Sequence, residues 1–166
     1  MSDDAHDVKR GTARHAELMR TLATTPETLE AMLLAASEAA LDRARPGEWP
    51  ARTVVAHLRD DEFMVMRLRL ERMLVEDAPL LTPFDEGVWA ASRWRGRDSV
   101  GDLIADLRMQ RAASLHILAR LTEEQWQRPG TQPEIGTFDI HWWVEHWAEH
   151  DVDHLNQVAT SLGLTG

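Results

Sequence analysis

The chain has 166 residues, a formal net charge of −10 and no cysteine. Its length suits one domain with an apolar core, its 43% hydrophobic content excludes a disordered chain, and the lack of cysteine excludes disulfides and thiolate ligands. The charge opposes binding to nucleic acid and anionic membranes, no apolar run reaches the ~18 residues of a membrane span, and no signal peptide is recognisable. We therefore expect a cytoplasmic protein that binds neither nucleic acid nor membranes.

The N-terminal part of the chain carries two predicted helices. Residues 1–11 are polar, and we expect them to be disordered or frayed. A short helix is predicted over residues 12–23. Thr25 and Pro26 then supply an N-cap residue and a proline at the first helical position, which predicts a new helix from here to about Arg45.

A second long helix is predicted over residues 51–76. Its apolar positions recur at helical spacing, and they are Val54, Leu58, Val65, Leu68 and Val75. His57 and Asp61 lie within this apolar face. The following segment, residues 79–97, is predicted to be a long irregular connection, and a connection of this length is often functional.

A third helix is predicted from the N-cap candidate Ser99 to about residue 121, with Arg111 in the middle of its apolar face. Residues 122–136 follow as a loop, and no period-2 pattern predicts a strand. With the final helix described below, the chain contains four amphipathic segments. They predict an all-α four-helix bundle in one domain over residues 12–166, and the long second connection permits a non-sequential helix order.

The last helix carries a row of histidines. It is predicted to begin after an N-cap at Thr137 and to end before a C′ glycine, Gly163. His150 and His154 are four residues apart, so both side chains can bind one metal ion. His146 lies one turn earlier, but eight residues rise about 12 Å, which is too far for all three to share an ion.

A third ligand is therefore expected from another helix. His57 is the best candidate because it lies on an apolar face, and Asp61, one turn later, could orient it or bind the ion directly. The alternative is that these histidines are ordinary hydrogen-bonded core residues. His146 is assigned either beside the ligands or to substrate binding. Of the remaining histidines, His6 and His15 are expected to be solvated and His116 to lie at the surface. His141, in the first turn of the last helix, is expected to face solvent or the loop.

Two further features leave alternatives open. Arg111 and Asp151 occupy apolar faces, so either they form a buried ion pair, or Arg111 anchors a substrate anion while Asp151 supports a ligand histidine. Gln157 is predicted to form a hydrogen bond near the site. Among seven tryptophans, Trp89 and Trp94 on the long connection are the candidates for a pocket wall, whereas the others are expected to pack.

Several segments together resemble the DinB-like family, also called DinB/YfiT-like. They are GEWPARTVVAHLRDDE around His57, PFDEGVWAASRW, QPEIGTFDIHWW and EHWAEHDVDHLNQVA, and the resemblance spans residues 22–161. It implies a four-helix bundle whose three metal-binding histidines match His57, His150 and His154. Because characterised relatives include transferases that use bacillithiol, mycothiol or glutathione, the resemblance also implies a small-molecule thiol as cosubstrate.

Three functions are consistent with these observations. The first is a thiol S-transferase, in which one divalent ion (zinc or nickel first, then iron, manganese or copper) activates the thiol. The second is a metal-dependent hydrolase, and the third is a noncatalytic metal-binding protein. The tryptophans of the long connection would also suit a homodimer.

Overall fold

The computed structural model describes residues 3–164, with side chains for residues 11 and 13–164. It confirms the predicted all-α class, since the only strands among these residues form one short hairpin. The elements in chain order are α1 (Asp3–Leu34), α2 (Glu38–Leu41), α3 (Ala51–Asp61), a π-helical turn (Glu62–Met66), α4 (Arg67–Val75), α5 (Glu86–Ser92), α6 (Val100–Leu118), α7 (Glu123–Trp126), β1 (Pro129–Gln132), β2 (Gly136–Asp139) and α8 (Ile140–Ser161).

Four helical rods form the bundle. The first is α1, the second is the continuous helix made of α3, the π turn and α4, and the third and fourth are α6 and α8. Helix α1 packs against α6 and α8, and α3 packs against the same two helices. The first and second rods therefore lie diagonally opposite each other. The helix order is non-sequential, as the long second connection permits.

Two apolar clusters fill the bundle, one towards each end. The first cluster contains residues from all four rods: 22 of α1, 65–73 of the second rod, 118 of α6 and 140–148 of α8. The second cluster contains residues 29–33 of α1, 51–58 of the second rod, 103–107 of α6 and 158 of α8. The second rod and α6 thus run in the same direction. Because they are parallel neighbours, their connection has to return along the length of the bundle, and it carries α5 past the middle of the bundle.

A charged layer separates the two apolar clusters, and Arg111 lies at its centre. Its side chain is 2% exposed. Nη1 donates to Asp151 Oδ2 at 2.6 Å, and Nε donates to Glu62 Oε2 at 3.0 Å. Nη1 also donates to the carbonyl oxygen of Leu22 at 2.5 Å, and Thr25 Oγ1 donates to Asp151 Oδ2 at 2.7 Å. One guanidinium therefore connects all four rods of the bundle.

The predicted break before Pro26 is wrong, because α1 continues through this proline. Proline has no N–H, so the carbonyl of Leu22, four residues earlier, loses its usual helical partner. Arg111 donates to that same carbonyl. The tertiary hydrogen bond satisfies the group that the proline leaves free, and the helix continues to Leu34. The predicted separate helices over 12–23 and from Thr25 to Arg45 are replaced by α1 and the short α2.

The predicted apolar face of the second rod is correct as far as Val65, within the π turn, and wrong after it. Leu68 and Val75 are 48% and 81% exposed, although both were expected to be buried. The π turn inserts about one extra residue into the helical repeat, which rotates every later side chain around the axis. Arg69, Leu70 and Met73 take the inward positions instead.

The last loop and helix also differ in detail from the sequence prediction. Residues predicted as loop form the antiparallel hairpin of β1 and β2, whose four-residue strands are too short to show a period-2 pattern. The N-cap of α8 is Asp139 rather than Thr137, because the side chain of Asp139 accepts from the N–H of Trp142, whereas Thr137 lies two residues earlier within β2. Gly163 has φ 69°, and Leu164 N–H donates to the carbonyl of Ala159, so the C′ glycine is confirmed.

The N-terminal segment is partly outside the described residues. Met1 and Ser2 lie there, whereas the backbone of α1 is helical from Asp3 onwards. Fraying of residues 1–11 stays a prediction. Within residues 3–164, every helix is too short or too polar to cross a lipid bilayer.

Replacing Arg111 with methionine should destabilise the fold by about 3–5 kcal/mol, because Glu62 and Asp151 would be left buried without their cation. Urea unfolding at neutral pH measures the change. Arg108 provides the matched control on the same helix, since its partner Glu30 lies at the surface and R108M should cost less than about 1 kcal/mol. Equal losses in the two variants would contradict the role given to the charged layer.

Candidate metal centre

Three histidine side chains converge in the middle of the bundle. His57 comes from α3, whereas His150 and His154 lie one turn apart on α8. The Nε2 atom of His150 is 3.3 Å from that of His57 and 3.2 Å from that of His154. One nitrogen from each residue lies within 4.8 Å of the other two. Nitrogens about 3.3–3.4 Å apart are expected around a tetrahedral ion with bonds of about 2.0–2.1 Å, so the two spacings at His150 fit a single ion.

The protonation state of the histidines also fits metal binding. Burial lowers the pKa of His57 to about 3, and the charge of His154 lowers it further. Burial likewise lowers the pKa of His150 to about 2, with repulsion from His154 and His57 as the next causes. Both imidazoles are therefore neutral at neutral pH, which is the form that binds a metal.

Gln157 fixes the orientation of one histidine. The amide oxygen of Gln157 lies 2.8 Å from Nδ1 of His154. Because an amide oxygen only accepts, Nδ1 carries the hydrogen and Nε2 keeps its lone pair for the ion. This hydrogen bond is the one predicted from the sequence. The Nδ1 atoms of His57 and His150 are buried, and neither has a hydrogen-bond partner among the described residues.

Asp61 faces the same space as the three nitrogens. Its Oδ2 atom is 3.5 Å from Nε2 of His57 and 3.7 Å from Nε2 of His150. The sequence left open whether this carboxylate orients His57 or binds the ion. It lies on the Nε2 side rather than the Nδ1 side, so it does not orient the ring through the far nitrogen. Burial, followed by repulsion from Glu86, raises the pKa of Asp61 to about 8.

Glu86 is a neighbour of the site that the sequence analysis missed. It follows Asp85, whose side chain accepts from the N–H of Val88 and starts α5. The Oε1 atom of Glu86 is 3.9 Å from Nε2 of His57, and its side chain is about half exposed. The Asp85–Glu86 pair was a readable helix start within the segment predicted as irregular. Glu86 lies beside His57 because of the path that the chain takes between α4 and α6.

A cavity of about 120 Å³ opens beside His150. Asp61, Glu86 and His146 line it, and so do Val65, Met66, Arg69, Phe84, Gln132 and Trp143. His146 stacks on Trp142 with a centroid distance of 5.2 Å and an interplanar angle of 4°. Burial lowers the pKa of His146 below its ordinary value. His146 is therefore a wall of the cavity, and it is not one of the three grouped histidines.

Arg111 and Asp151 form the ion pair that was one of the two alternatives. The Asp151 carboxylate contacts Arg111 and Thr25, and Arg111 does not line the cavity beside His150. The pair joins α6 to α8, and Glu62 of the π turn is the second carboxylate partner of Arg111. The alternative in which Arg111 anchors a substrate anion has no support, because this guanidinium is buried against its own partners.

The two tryptophans that the sequence suggested as a pocket wall line a groove next to the site. Trp89 and Trp94 contribute to a groove of about 600 Å³ that contains none of the three histidines. Trp89 is buried, its ring centroid is 5.2 Å from that of His57, and its Nε1 donates to Asp60 at 3.1 Å. Trp94 is 73% exposed. Trp89 thus separates the groove from the three histidines.

The prediction that His15 is solvated is wrong. His15 is 6% exposed, and its ring stacks on Trp126 with centroids 3.8 Å apart. Its Nε2 atom is 2.9 Å from Nδ1 of His141 on α8. The long α1 places His15 between α7 and α8, a packing that no local pattern indicates. His116 is exposed as predicted, and the side chain of His6 lies outside the described residues.

Comparison with known proteins identifies the family. A sequence profile described as the DinB superfamily matches residues 21–158, which is most of the chain. The chain belongs to the DinB superfamily. Family membership confirms the resemblance noted from the sequence.

The similar DinB proteins bear names that refer to a metal. The chain is 26% identical over 153 residues to the Bacillus subtilis protein named "Putative metal-dependent hydrolase YfiT", covering 87% of this chain and 84% of that protein. A Bacillus licheniformis relative with the same functional name is 29% identical over 153 residues, covering 86% and 83%. The solved structure of Bacillus subtilis YfiT matches with a TM-score of 0.76 at 23% identity, over 90% of this chain and 87% of that chain. YfiT is described as a four-helix bundle of unusual topology, and this likeness shows the shared fold.

Replacing His150 with alanine should lower the affinity for zinc at least a hundredfold, because His150 lies between the other two ligand nitrogens in this DinB site. Competition with a chromophoric chelator measures the change. H116A removes an exposed histidine and should leave both affinity and stoichiometry unchanged. Tight zinc binding by H150A would overturn the ligand assignment.

Replacing Gln157 with alanine should weaken zinc binding about 10- to 100-fold, since His154 would lose the partner that fixes its tautomer. The same chelator competition serves as the measurement. Asn156 is the neighbouring exposed residue on α8, so N156A is the control and should bind zinc as tightly as the unmodified protein. An unchanged affinity in Q157A would show that the hydrogen bond contributes nothing to the site.

Proposed function

We propose that this DinB protein is a metal-dependent hydrolase of a small molecule. The observation that carries the proposal is the position of Asp61, whose Oδ2 lies 3.5 Å and 3.7 Å from the ligand nitrogens of His57 and His150. A carboxylate next to three neutral imidazoles combines a place for a cation with an acceptor for a proton. The names of the similar Bacillus proteins agree with this reaction class.

The three histidines would hold one divalent ion through their Nε2 atoms. Such an ion lowers the pKa of a water bound to it and so supplies a nucleophile near neutral pH. Zinc and nickel are the first candidates for its identity, since imidazole nitrogen suits both.

Asp61 accepts the proton of the attacking water at Oδ2. In the absence of a cation, burial raises the pKa of this carboxyl to about 8. A nearby cation favours the charged carboxylate and brings the pKa down, towards the range in which a general base works best at neutral pH. The raised pKa of Asp61 and its position beside the histidines therefore both suit it to act as the general base.

The surrounding side chains restrict what can react. The cavity of about 120 Å³ has Phe84 and Trp143 among its walls, so it accepts the reacting end of a small molecule and excludes a folded partner. His146 lines the same space and stays neutral near pH 7, because burial lowers its pKa. We assign it to hydrogen bonding with the substrate.

Thiol S-transfer stays a prediction, since none of the relatives named above bears a transferase name. It would use the same groups, with Asp61 taking the proton of a thiol rather than that of water. Because the chain has no cysteine, the thiol would have to be a second substrate. The two reactions therefore differ in one measurable property, their dependence on added thiol.

Replacing Asp61 with asparagine in the zinc-loaded protein should reduce kcat for hydrolysis about a hundredfold or more, because the proton acceptor is lost while the shape is kept. The rate is measured first with activated esters such as p-nitrophenyl acetate, with and without glutathione. Zinc affinity should change far less than kcat.

D153N is the matched control, since Asp153 is exposed on α8 next to His154 and should not affect the rate. A rate that requires glutathione would replace the hydrolase proposal with the transferase. Equal losses of zinc affinity and kcat in D61N would reassign Asp61 as a metal ligand.

A further inference from the structure

A second charged side chain, Arg69, reaches the cavity next to the metal-binding histidines. It belongs to α4 and is only 8% exposed. It lines the cavity of about 120 Å³ that His150, Asp61 and Glu86 also line. Nothing in the sequence pattern indicated this residue, because a regular helix from α3 would place Leu68 on the inner face.

The π turn is the reason that Arg69 faces inwards. It rotates the side chains of α4 so that Leu68 is exposed and Arg69 is buried. Arginine is rarely buried without a partner, because its charge loses hydration. The local distortion therefore places a cation in the interior, next to the proposed reaction centre.

Arg69 has few partners of its own. Its Nη2 atom donates to the carbonyl oxygen of Thr82 at 2.7 Å, and its guanidinium carbon lies 5.0 Å from the centroid of the Trp143 ring. Among residues with described side chains, no Asp or Glu oxygen comes within 4.0 Å of this guanidinium. Burial lowers the pKa of Arg69, and the more distant charge of Asp61 opposes that effect. The other guanidinium N–H groups are available to a ligand in the cavity.

Arg69 differs in this respect from the other buried arginines. Arg111 has two carboxylate partners, and Arg59 and Arg93 both pair with Asp98. Arg72, one turn after Arg69, forms an ion pair with Glu76 at the surface. An unpaired guanidinium at the wall of a cavity is suited to an anionic ligand, since its planar N–H groups match the two oxygens of a carboxylate.

The charges around the cavity define the ligand further. A divalent ion and Arg69 contribute three positive charges, whereas Asp61 and Glu86 contribute two negative charges, which leaves one positive charge for a ligand to neutralise. A single carboxylate meets this requirement, while a phosphate dianion would exceed it. The cavity is also small, and Val65 and Phe84 add apolar surface to its wall.

We propose that Arg69 binds the carboxylate of a small monoanionic substrate whose reacting group lies at the three histidines. This inference rests on the proposed hydrolase, and it names the substrate class as short acids that carry a hydrolysable group. Arg69 and His150 line the same small cavity, and His57 and His154 lie next to His150. The carboxylate and the reacting group are therefore separated by only a few bonds.

The test is the binding of butyrate to the zinc-loaded protein, compared with its neutral analogue butyramide and with inorganic phosphate. Proton–nitrogen NMR follows the tryptophan indole signals, since Trp143 lies against Arg69. Butyrate should bind about tenfold more tightly than butyramide and shift the Trp143 signal, because a charge-assisted hydrogen bond is lost in the amide. Phosphate should bind more weakly than butyrate.

Variants separate Arg69 from the metal ion as the source of affinity. R69Q should lose about tenfold in butyrate affinity, whereas R69K should retain most of it. R72Q removes one positive charge on the same helix outside this cavity and should bind butyrate normally. Thermal melting verifies that each variant is folded, and the comparison of butyrate with butyramide in the unmodified protein tests the inference even if R69Q does not fold.

Three outcomes would overturn the inference. Butyramide binding as tightly as butyrate would show that the charge is not recognised, and unchanged butyrate affinity in folded R69Q would assign the binding to the ion alone. Tighter binding of phosphate than of butyrate would replace the carboxylate with a phosphate. Because binding is measured without turnover, a protein that binds butyrate but hydrolyses nothing would refute only the proposed function.

Discussion

The buried guanidinium of Arg111 is the interaction on which the rest of the structure depends. It bonds to Asp151 of α8, to Glu62 of the π turn and to the backbone of α1, while its own helix is α6. Burying a cation with two carboxylates costs desolvation energy that ion pairing only partly recovers. The main effect of the arrangement is therefore to position the helices relative to one another. It fixes the relative positions of the helices that bear His57 and His150, which must agree to within a few tenths of an ångström for one ion to bind.

The site also depends on the direction in which the helices run. The second rod and α6 are parallel neighbours, so the chain between them returns along the bundle and passes the histidines. Glu86 and Trp89 reach His57 from this connection, and Phe84 closes the cavity. A sequential up-and-down bundle could use short loops and would leave the histidines without this cover. The topology thus supplies both the acidic neighbour of His57 and one wall of the cavity.

Membership of the DinB superfamily explains the bundle, but a shared fold does not determine a reaction. The chemistry depends on the groups around the ligands. In the proposed function Asp61 is the proton acceptor beside the three histidines, and Arg69 adds a positive charge in the same cavity. A purely structural ion site has a closed ligand set and requires no polar cavity, so the proposed function depends on these two residues.

The sequence by itself determined the elements whose signal is local. The spacing of His150 and His154, the partner residue Gln157 and the inward position of Arg111 all follow from helical periodicity, which needs no knowledge of the neighbouring helices. Only the tertiary structure decided three other features. Helix α1 passes through Pro26 because a distant arginine satisfies the carbonyl of Leu22.

Arg69 faces the cavity because the π turn changes the helical repeat, and the preceding residues show no sign of that change. Glu86 reaches His57 because two parallel helices require a long return connection. For Pro26 and Glu86 the cause is a contact between segments far apart in the sequence, and for Arg69 it is a change of helical repeat that the apolar spacing does not indicate.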